Sequence, residues 1–201
     1  DRDAEATAPL EVHYKDGAKE SRELAIAPHD YDIQKLSLPE TMVTPPKDVL
    51  ARIDSDKMAI RKARAKISEP CNFFGTFSRP AEGIISGTYG SQRILNGKPK
   101  NPHMGMDIAG KVGTPVKAPL AGTVSLIRDM YYTGNTVLID HGCGVQTVYA
   151  HLSKVLVNTG RHVEQGELIG QIGKTGRATG PHLHWGLSLE GQQLNPQPYL
   201  K

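Results

Sequence analysis

Three segments of the sequence carry imidazole and carboxylate groups that could hold one metal ion. His182 and His184 stand one residue apart in an apolar run, which is typical of a β-strand that points both imidazoles to one face. His103 and Asp107 lie four residues apart in a segment with proline and glycine, and His151 supplies a further imidazole. A catalytic zinc takes three such ligands and keeps its fourth position for water. The pattern therefore predicts metal-assisted hydrolysis, with a spare histidine as general base.

The order and spacing of these segments resemble those of the lysostaphin/LytM-type zinc endopeptidases. The H-x-x-x-D motif of that family stands at residues 103–107 as HMGMD, and its H-x-H motif stands at residues 182–184 within GRATGPHLHW. The further histidine of the family corresponds to His151 in YAHLS. Each motif alone is weak, but all three occur in the family's order, so the resemblance is specific across residues 71–199.

The resemblance implies a role for each of the five side chains. His103, Asp107 and His184 are expected to bind Zn²⁺, with water as the fourth ligand. His151 and His182 are expected to act as catalytic residues around that water and the scissile carbonyl. The sequence leaves open which of these two histidines is the general base.

The resemblance also implies a substrate. Enzymes of this type cut peptide bonds in the stem peptides or cross-links of bacterial peptidoglycan, and the segment before residue 71 is similar to that of Gram-negative periplasmic members. We therefore expect a peptidoglycan peptide as partner, the periplasm or another part of the cell envelope as location, and a monomer. The alternative is a catalytically inactive relative that binds the cell wall or activates an amidase. Degenerate members of that kind lack one or more of the five residues, all of which are present here.

Composition and charge exclude two other classes of partner. Residues 1–70 hold 12 Lys and Arg against 14 Asp and Glu, whereas residues 71–201 hold 12 against 7, which suits an anionic partner of the C-terminal part. No basic cluster is interleaved with aromatic residues, so nucleic acid is not expected. No apolar run approaches the roughly 18 residues of a membrane helix, so no membrane segment is expected in this chain.

The sequence predicts a mainly β fold in three segments. Residues 1–44 form an N-terminal extension with a β-hairpin, whose strands at 10–14 and 22–27 flank a Lys-Asp-Gly turn. Residues 1–9 are expected to be a frayed leader. A hairpin is marginal alone, so it is interpreted as the remnant of a larger β-domain or as a piece docked on the main body.

Residues 45–70 are predicted to be a helical linker. An amphipathic helix is expected from the two prolines at 45 and 46 to about residue 68, with Leu50, Ile53, Ile60 and Ile67 on one stripe. Charges of both signs favour packing of this helix within the protein over binding to a membrane.

Residues 71–201 are predicted to be the zinc peptidase domain, a compact antiparallel β-sheet or β-sandwich hybrid of LytM type. Of the 21 glycines, 19 lie between Gly83 and Gly191, where they separate short β-rich runs. The predicted strands span residues 114–116, 122–127, 136–139, 145–149, 168–172 and 182–189.

Several further side chains leave alternatives open. Cys71 and Cys143 are either bridged, as an oxidising compartment would allow, or free thiols. Arg93 is interpreted as a structural ion pair, with a stem-peptide carboxylate as the alternative partner. Tyr132 and Asn135 are candidates for lining a substrate cleft.

The remaining histidines and the N-terminal extension supply weaker candidates. His141 is expected to be a turn residue, and His162 is expected on the solvated surface. In some relatives an N-terminal segment adds a fourth zinc ligand and blocks the cleft. Four side chains qualify here by chemistry, and no spacing selects one: His13, His29, Asp30 and Asp32.

Overall fold

The computed structural model describes residues 2–71, 73 and 75–200 and has a mainly β architecture, as predicted. The α-helices are α1 (Glu40–Val43) and α2 (Leu50–Arg64), and short 3-10 helices lie at Lys47–Val49 and Gln197–Tyr199. The strands are β1 (Thr7–His13), β2 (Lys19–Ala25), β3 (Ile33–Leu36), β4 (Ile84–Gly87), β5 (Gln92–Leu95), β6 (Lys98–Pro99), β7 (Met106–Ala109), β8 (Pro115–Lys117), β9 (Gly122–Met130), β10 (Gly134–Asp140), β11 (Val145–Val155), β12 (His162–Val163), β13 (Leu168–Ile172), β14 (His182–Leu189) and β15 (Gln192–Leu194).

One large antiparallel sheet carries the C-terminal part of the chain. Its strands run in the order β12-β9-β10-β11-β14-β7-β4, while β13 pairs with β11 and β8, and β15 pairs with β14. The central strands are buried on both faces, so β10 reads as a continuous apolar run in which residues 137–139 are fully buried. Trp185 and Tyr149, opposite each other on β14 and β11, are the largest fully buried side chains. This packed centre holds the ends of β7, β11 and β14 in place.

The N-terminal extension is more ordered than its sequence indicates. Strands β1 and β2 form the predicted hairpin as a separate two-stranded sheet, and Thr7 pairs with Ala25. The expectation of a frayed leader over residues 1–9 is therefore wrong for 7–9, because cross-strand pairing orders them. Closer to the N-terminus, Arg2 Nε donates to the Gly90 carbonyl at 2.7 Å.

A strand of the extension that sequence patterning misses joins it to the rest of the protein. Strand β3 pairs in parallel with β5, and β6 completes a three-stranded sheet. Four residues of mixed polarity carry no strand signal, because the partner that stabilises them lies almost sixty residues away. The predicted boundaries at residues 44 and 70 stay predictions, and this sheet crosses both of them.

The linker helix is shorter than expected and attaches through polar contacts. Helix α2 ends at Arg64, and the chain then leaves the helix so that the Ser68 carbonyl can accept from the Cys143 N–H at 2.7 Å. Of the predicted apolar stripe, Ile53 is 4% exposed whereas Ile67 is 63% exposed. The helix contacts β9 and the turn after it, in agreement with packing inside the protein. None of the helices among the described residues is long and apolar enough to cross a membrane.

The two cysteines form a disulfide, which decides between a bridge and free thiols. Cys71 and Cys143 have Cα atoms 5.2 Å apart and are separated by 72 residues. The bridge ties the end of the linker to the β10–β11 connection. His141 lies in that connection, as expected, and its side chain is fully buried. His162 lies exposed on β12, as predicted.

Candidate metal centre

Strand register brings the first two expected metal ligands together. Strands β7 and β14 are antiparallel neighbours, and their register sets His184 directly opposite Asp107. Alternation along β14 then turns His182 to the same face as His184. His103 precedes β7 in a loop whose backbone is tied to the start of β5, since its N–H donates to Ser91 and its carbonyl accepts from Gly90.

The three side chains converge on a common point. Asp107 Oδ1 lies 2.9 Å from His103 Nε2 and 2.8 Å from His184 Nδ1, and the two nitrogens are 2.9 Å apart. Two imidazole nitrogens and one carboxylate oxygen so close together are the donor set of a zinc site. His103 Nδ1 donates to the Thr88 carbonyl at 2.9 Å, which leaves the lone pair of its Nε2 free for a metal. The residues present therefore fit the metal that the sequence predicts.

Electrostatics keep these groups in the form that a metal requires. Burial raises the pKa of Asp107, but the adjacent imidazoles of His103 and His184 outweigh that effect, so that this pKa lies well below its usual value. Burial lowers the pKa of His184 to about 4, although the adjacent Asp107 carboxylate partly raises it. A carboxylate and a neutral imidazole are the states that bind a cation at neutral pH.

Gly105 of the HMGMD motif is required by the close approach of His184. A Cβ at this position would lie 2.6 Å from His184 Cε1 and 2.7 Å from the Trp185 carbonyl oxygen. Gly87 on β4 is required in the same way by Asp107, because a Cβ at position 87 would lie 2.8 Å from Asp107 Oδ2. The glycines make room for the ligands at both places.

His151 and His182 lie beside the three predicted metal ligands, and both rings are held through the same ring nitrogen. Their ring centroids are 4.6 Å apart, and His182 Nε2 lies 3.8 Å from Asp107 Oδ1. In each ring Nδ1–H donates to a backbone carbonyl, that of Thr175 for His151 and that of Gly180 for His182. Both rings therefore leave Nε2 available. Burial, followed by the charges of His182 and His184, lowers the pKa of His151 to about 3, so its imidazole is neutral.

An unusual backbone conformation presents His151 to the site. Its φ is +62°, in the left-handed region that side chains other than glycine rarely adopt. A bulge between β10 and β11 accompanies it, and the His151 N–H donates to the Thr133 carbonyl at 2.8 Å. Asn135 holds the next residue, since its Nδ2 donates to the Leu152 carbonyl. Strained conformations held by their surroundings are common at functional sites.

Comparison with known proteins agrees with this geometry. The sequence profile of peptidase family M23 matches residues 101–196. A crystal structure assigned to peptidase M23 from Pseudomonas aeruginosa superposes with a TM-score of 0.75 at 31% identity, covering 96% of this chain and 73% of that one. The chain belongs to peptidase family M23. The recognition of a LytM-type relative in the sequence is confirmed.

Two relatives locate the chain within the family. The crystal structure of the catalytic domain of the antimicrobial peptidase lysostaphin from Staphylococcus simulans superposes with a TM-score of 0.53 at 31% identity, over 58% of this chain and 91% of that domain. The peptidoglycan DD-endopeptidase ShyA from Vibrio cholerae is 48% identical over 94 residues, which are 47% of this chain and 22% of ShyA. The match thus spans about a fifth of the length of that relative.

The M23 site opens into a cavity of about 330 Å³, which is termed the groove. Asp107, His151 and His182 face it, together with Arg93 of β5 and Arg177 of the β13–β14 loop. The N-terminal extension supplies part of its wall. That wall includes residues which sequence reasoning does not single out: Gln34, Leu36 and Leu38.

Several other candidates from the sequence have different places in this M23 chain. Arg93 forms the structural ion pair expected of it, with Nη2 3.2 Å from Asp107 Oδ2. Tyr132 and Asn135 are not among the described residues that line the groove; the Tyr132 ring lies under Arg177, and Asn135 bonds to the strand backbone. Within the described ranges, the four candidates for an additional ligand neither line the groove nor join the metal group: His13, His29, Asp30 and Asp32.

The five predicted site residues are thus brought to one place, and their individual roles stay predictions. Arg177 lines the groove, but its place in the GRATGPHLHW motif does not by itself indicate a role. The one sequence feature that could have drawn attention to it is a charged residue among small residues just before the H-x-H strand. The β3 residues that line the groove have no such feature.

Proposed function

We propose that this chain is a zinc-dependent endopeptidase that hydrolyses peptide bonds in the stem peptides or cross-links of peptidoglycan. The observation that carries the proposal is the convergence of His103, Asp107 and His184 beside two further imidazoles whose Nε2 atoms are available. Membership of family M23 supports it, as does 48% identity to a segment of ShyA, which is a peptidoglycan DD-endopeptidase. Because the match spans a fifth of ShyA, the substrate of the whole protein is part of the proposal.

His103, Asp107 and His184 would hold the zinc ion. Zinc at such a site supplies Lewis acidity for attack of water on a peptide carbonyl. The carboxylate offsets part of the cation's charge, and the Thr88 carbonyl fixes the orientation of the His103 ring. A carbonyl that accepts a hydrogen bond from the other ring nitrogen orients a metal-binding imidazole and raises its basicity.

The two adjacent histidines move protons and stabilise charge. One Nε2 accepts a proton from the attacking water, and the other histidine, in its protonated form, donates Nε2–H to the carbonyl oxygen as it becomes negative. The Thr175 and Gly180 carbonyls hold the opposite ring nitrogens and prevent each ring from turning. The imidazolium formed by the proton transfer from water then passes its Nε2 proton to the leaving amine as the C–N bond breaks, which completes hydrolysis.

The proposal extends to location and assembly. A protein with this substrate works in the periplasm or another part of the bacterial cell envelope, and the Cys71–Cys143 disulfide suits an oxidising compartment. Every group that the reaction needs lies on one chain, so we propose that a monomer is active.

Digestion of purified sacculi tests the proposal, with released muropeptides identified by mass and zinc measured in each protein. We expect the wild type to hold one zinc and release peptides, and His184→Ala to lose both zinc and activity. His151→Ala should keep zinc and lose about 100- to 10,000-fold in rate, because proton transfer accounts for a factor of that size. His162→Ala, on the exposed strand β12, is the matched control.

Two outcomes would contradict this proposal. Normal hydrolysis by His151→Ala would remove that residue from the reaction. A wild-type protein that held no zinc and released no fragments would instead support a catalytically inactive wall-binding or amidase-activating module.

A further inference from the structure

Two arginine side chains line the groove beside the metal centre. Arg93 is 21% exposed at its side chain, and only its Nη2 contacts a carboxylate, that of Asp107. Its Nε is buried and has no hydrogen-bond partner among the described residues. Arg177 is half-buried, and within the described part of the chain its guanidinium bonds only to the Met42 carbonyl, at 3.3 Å. Each guanidinium group thus retains donors that no acceptor in residues 2–71, 73 and 75–200 uses.

The described lining of the groove lacks the negative charge that would balance two partly buried guanidinium groups. Among its described lining residues Asp107 is the single carboxylate, and that group already serves His103 and His184. Burial lowers the pKa of Arg177, and the positive charge of Arg93, which lines the same groove, lowers it further, although Tyr132 partly raises it. Arginine remains protonated at such sites. With a divalent cation bound, the groove carries a net positive charge.

Arg177 is also held in one orientation. Its guanidinium carbon lies 4.4 Å from the centroid of the Tyr132 ring, and its backbone N–H donates to the Tyr132 carbonyl at 2.7 Å. Stacking on an aromatic ring and a carbonyl contact at Nη1 orient the planar group and leave other N–H groups free. A preoriented guanidinium is well matched to a carboxylate, which it can bind with two parallel hydrogen bonds.

We infer that Arg93 and Arg177 form a subsite for a free carboxylate of the peptide substrate, next to the scissile bond. This inference rests on the proposed function and narrows its substrate class. The enzyme selects peptides that carry an ionised carboxyl group close to the cleaved amide and discriminates against glycine bridges or amidated peptides. Arg177 is the specificity-determining residue, because Arg93 also contacts Asp107.

A matched pair of substrates tests the subsite. Two synthetic cross-linked peptides differ only in the group on the carbon bonded to the scissile nitrogen, which is a carboxylate in one and a carboxamide in the other. We expect wild-type kcat/KM to be about 10- to 100-fold higher for the carboxylate peptide, the range for a hydrogen bond to a charged group. Arg177→Gln should reduce that preference to less than about 3-fold, mainly through KM for the carboxylate peptide.

Controls separate binding from a structural role. Arg177→Lys keeps the charge and should retain part of the preference. Arg161→Gln removes a surface arginine paired with Glu167 and should leave the preference unchanged. Zinc content and melting temperature are measured for each protein. Titration calorimetry of the metal-free wild type measures binding of the amine product of cleavage in its carboxylate and carboxamide forms. This measurement needs no turnover.

The outcomes decide between the inference and the function on which it rests. Equal hydrolysis of both peptides by the wild type would overturn the subsite and leave the endopeptidase intact. If neither peptide is cut, the proposed function fails, and tighter calorimetric binding of the carboxylate product would still support the subsite, whereas equal binding would overturn it. A loss in Arg177→Gln that is the same for both peptides would show that this residue only braces Tyr132 against α1.

Discussion

A single buried imidazole shows how this protein couples a residue to pH. His141 is fully buried outside the groove, where Nδ1 donates to the Ala121 carbonyl at 2.7 Å and Nε2 lies 2.8 Å from Thr147 Oγ1. Burial lowers its pKa below the ordinary 6.5, although the Ala121 hydrogen bond and the charge of Asp140 partly raise it. The folded protein therefore resists protonation of a group that the unfolded chain protonates readily.

This difference predicts a pH dependence of stability. Below pH 6.5 the unfolded state binds a proton that the folded state does not, so the free energy of unfolding falls as pH drops toward the lowered pKa. Between pH 7 and pH 5 the free energy of unfolding should fall less in His141→Gln than in the wild type. The difference between the two falls should be at most about 2 kcal/mol. Urea unfolding of the metal-free proteins measures it, with His162→Gln as exposed control. Equal falls in the wild type and the His141 variant would contradict the assignment.

The metal and catalytic candidates could be picked out because each motif is local and the family resemblance combines the motifs into one site. Alternation puts His182 and His184 on one face of any strand that contains them, and a short segment joins His103 to Asp107. The groove arginines could not be placed in this way. Arg93 lies on β5, in a different sheet from β7, so its contact with Asp107 depends on how the chain folds between them. The orientation of Arg177 depends on Tyr132, in a turn more than forty residues away.

At the scale of elements, helix α2 bonds to the end of β9 and to the β9–β10 turn, which in turn contacts residues of the groove. The buried Asp56 carboxylate accepts from Arg128 Nε at 2.8 Å and from the Tyr131 N–H at 2.9 Å. The next two residues of that turn, Tyr132 and Thr133, accept hydrogen bonds from the backbones of Arg177 and His151. The helix thus fixes a turn that positions two groove residues.

The contact of Asp56 predicts an unequal effect of two substitutions on one helix. Asp56→Ala should lower the free energy of unfolding by about 2–3 kcal/mol, because it leaves a guanidinium and a backbone N–H without their acceptor. Asp54→Ala removes an exposed pair with Lys57 and should cost about 0.5 kcal/mol. Urea titrations measure both values. Similar losses in the two variants would show that α2 is not anchored through Asp56.

Elements differ in how far local sequence determines them. Strands β13 and β14 have the predicted bounds, because alternation and turn residues mark both ends. Helix α2 stops before its predicted end, since the disulfide and the Ser68 contact draw the chain away. Among the described strands, β3 pairs with β5 alone, and such long-range pairing leaves no signal in a window of four residues.

At the scale of the molecule, links of several kinds join residues 2–71 to the rest of the protein. They include the parallel pairing of β3 with β5, the anchoring of α2 through Asp56, and the Cys71–Cys143 bridge. Closing a loop of this length stabilises a fold by about 4 kcal/mol in the chain-entropy account. Because β3 also lines the groove, the extension contributes to the shape of the site as well as to stability.

The proposed function depends on one zinc ion bound between His103, Asp107 and His184. Crystals equilibrated with Zn²⁺ and measured on both sides of the zinc absorption edge test it directly. We expect one strong anomalous peak at about 2.0–2.2 Å from His103 Nε2, Asp107 Oδ1 and His184 Nδ1. We expect no such peak in His184→Ala. A peak at other residues, or none at these three with zinc in excess, would contradict it.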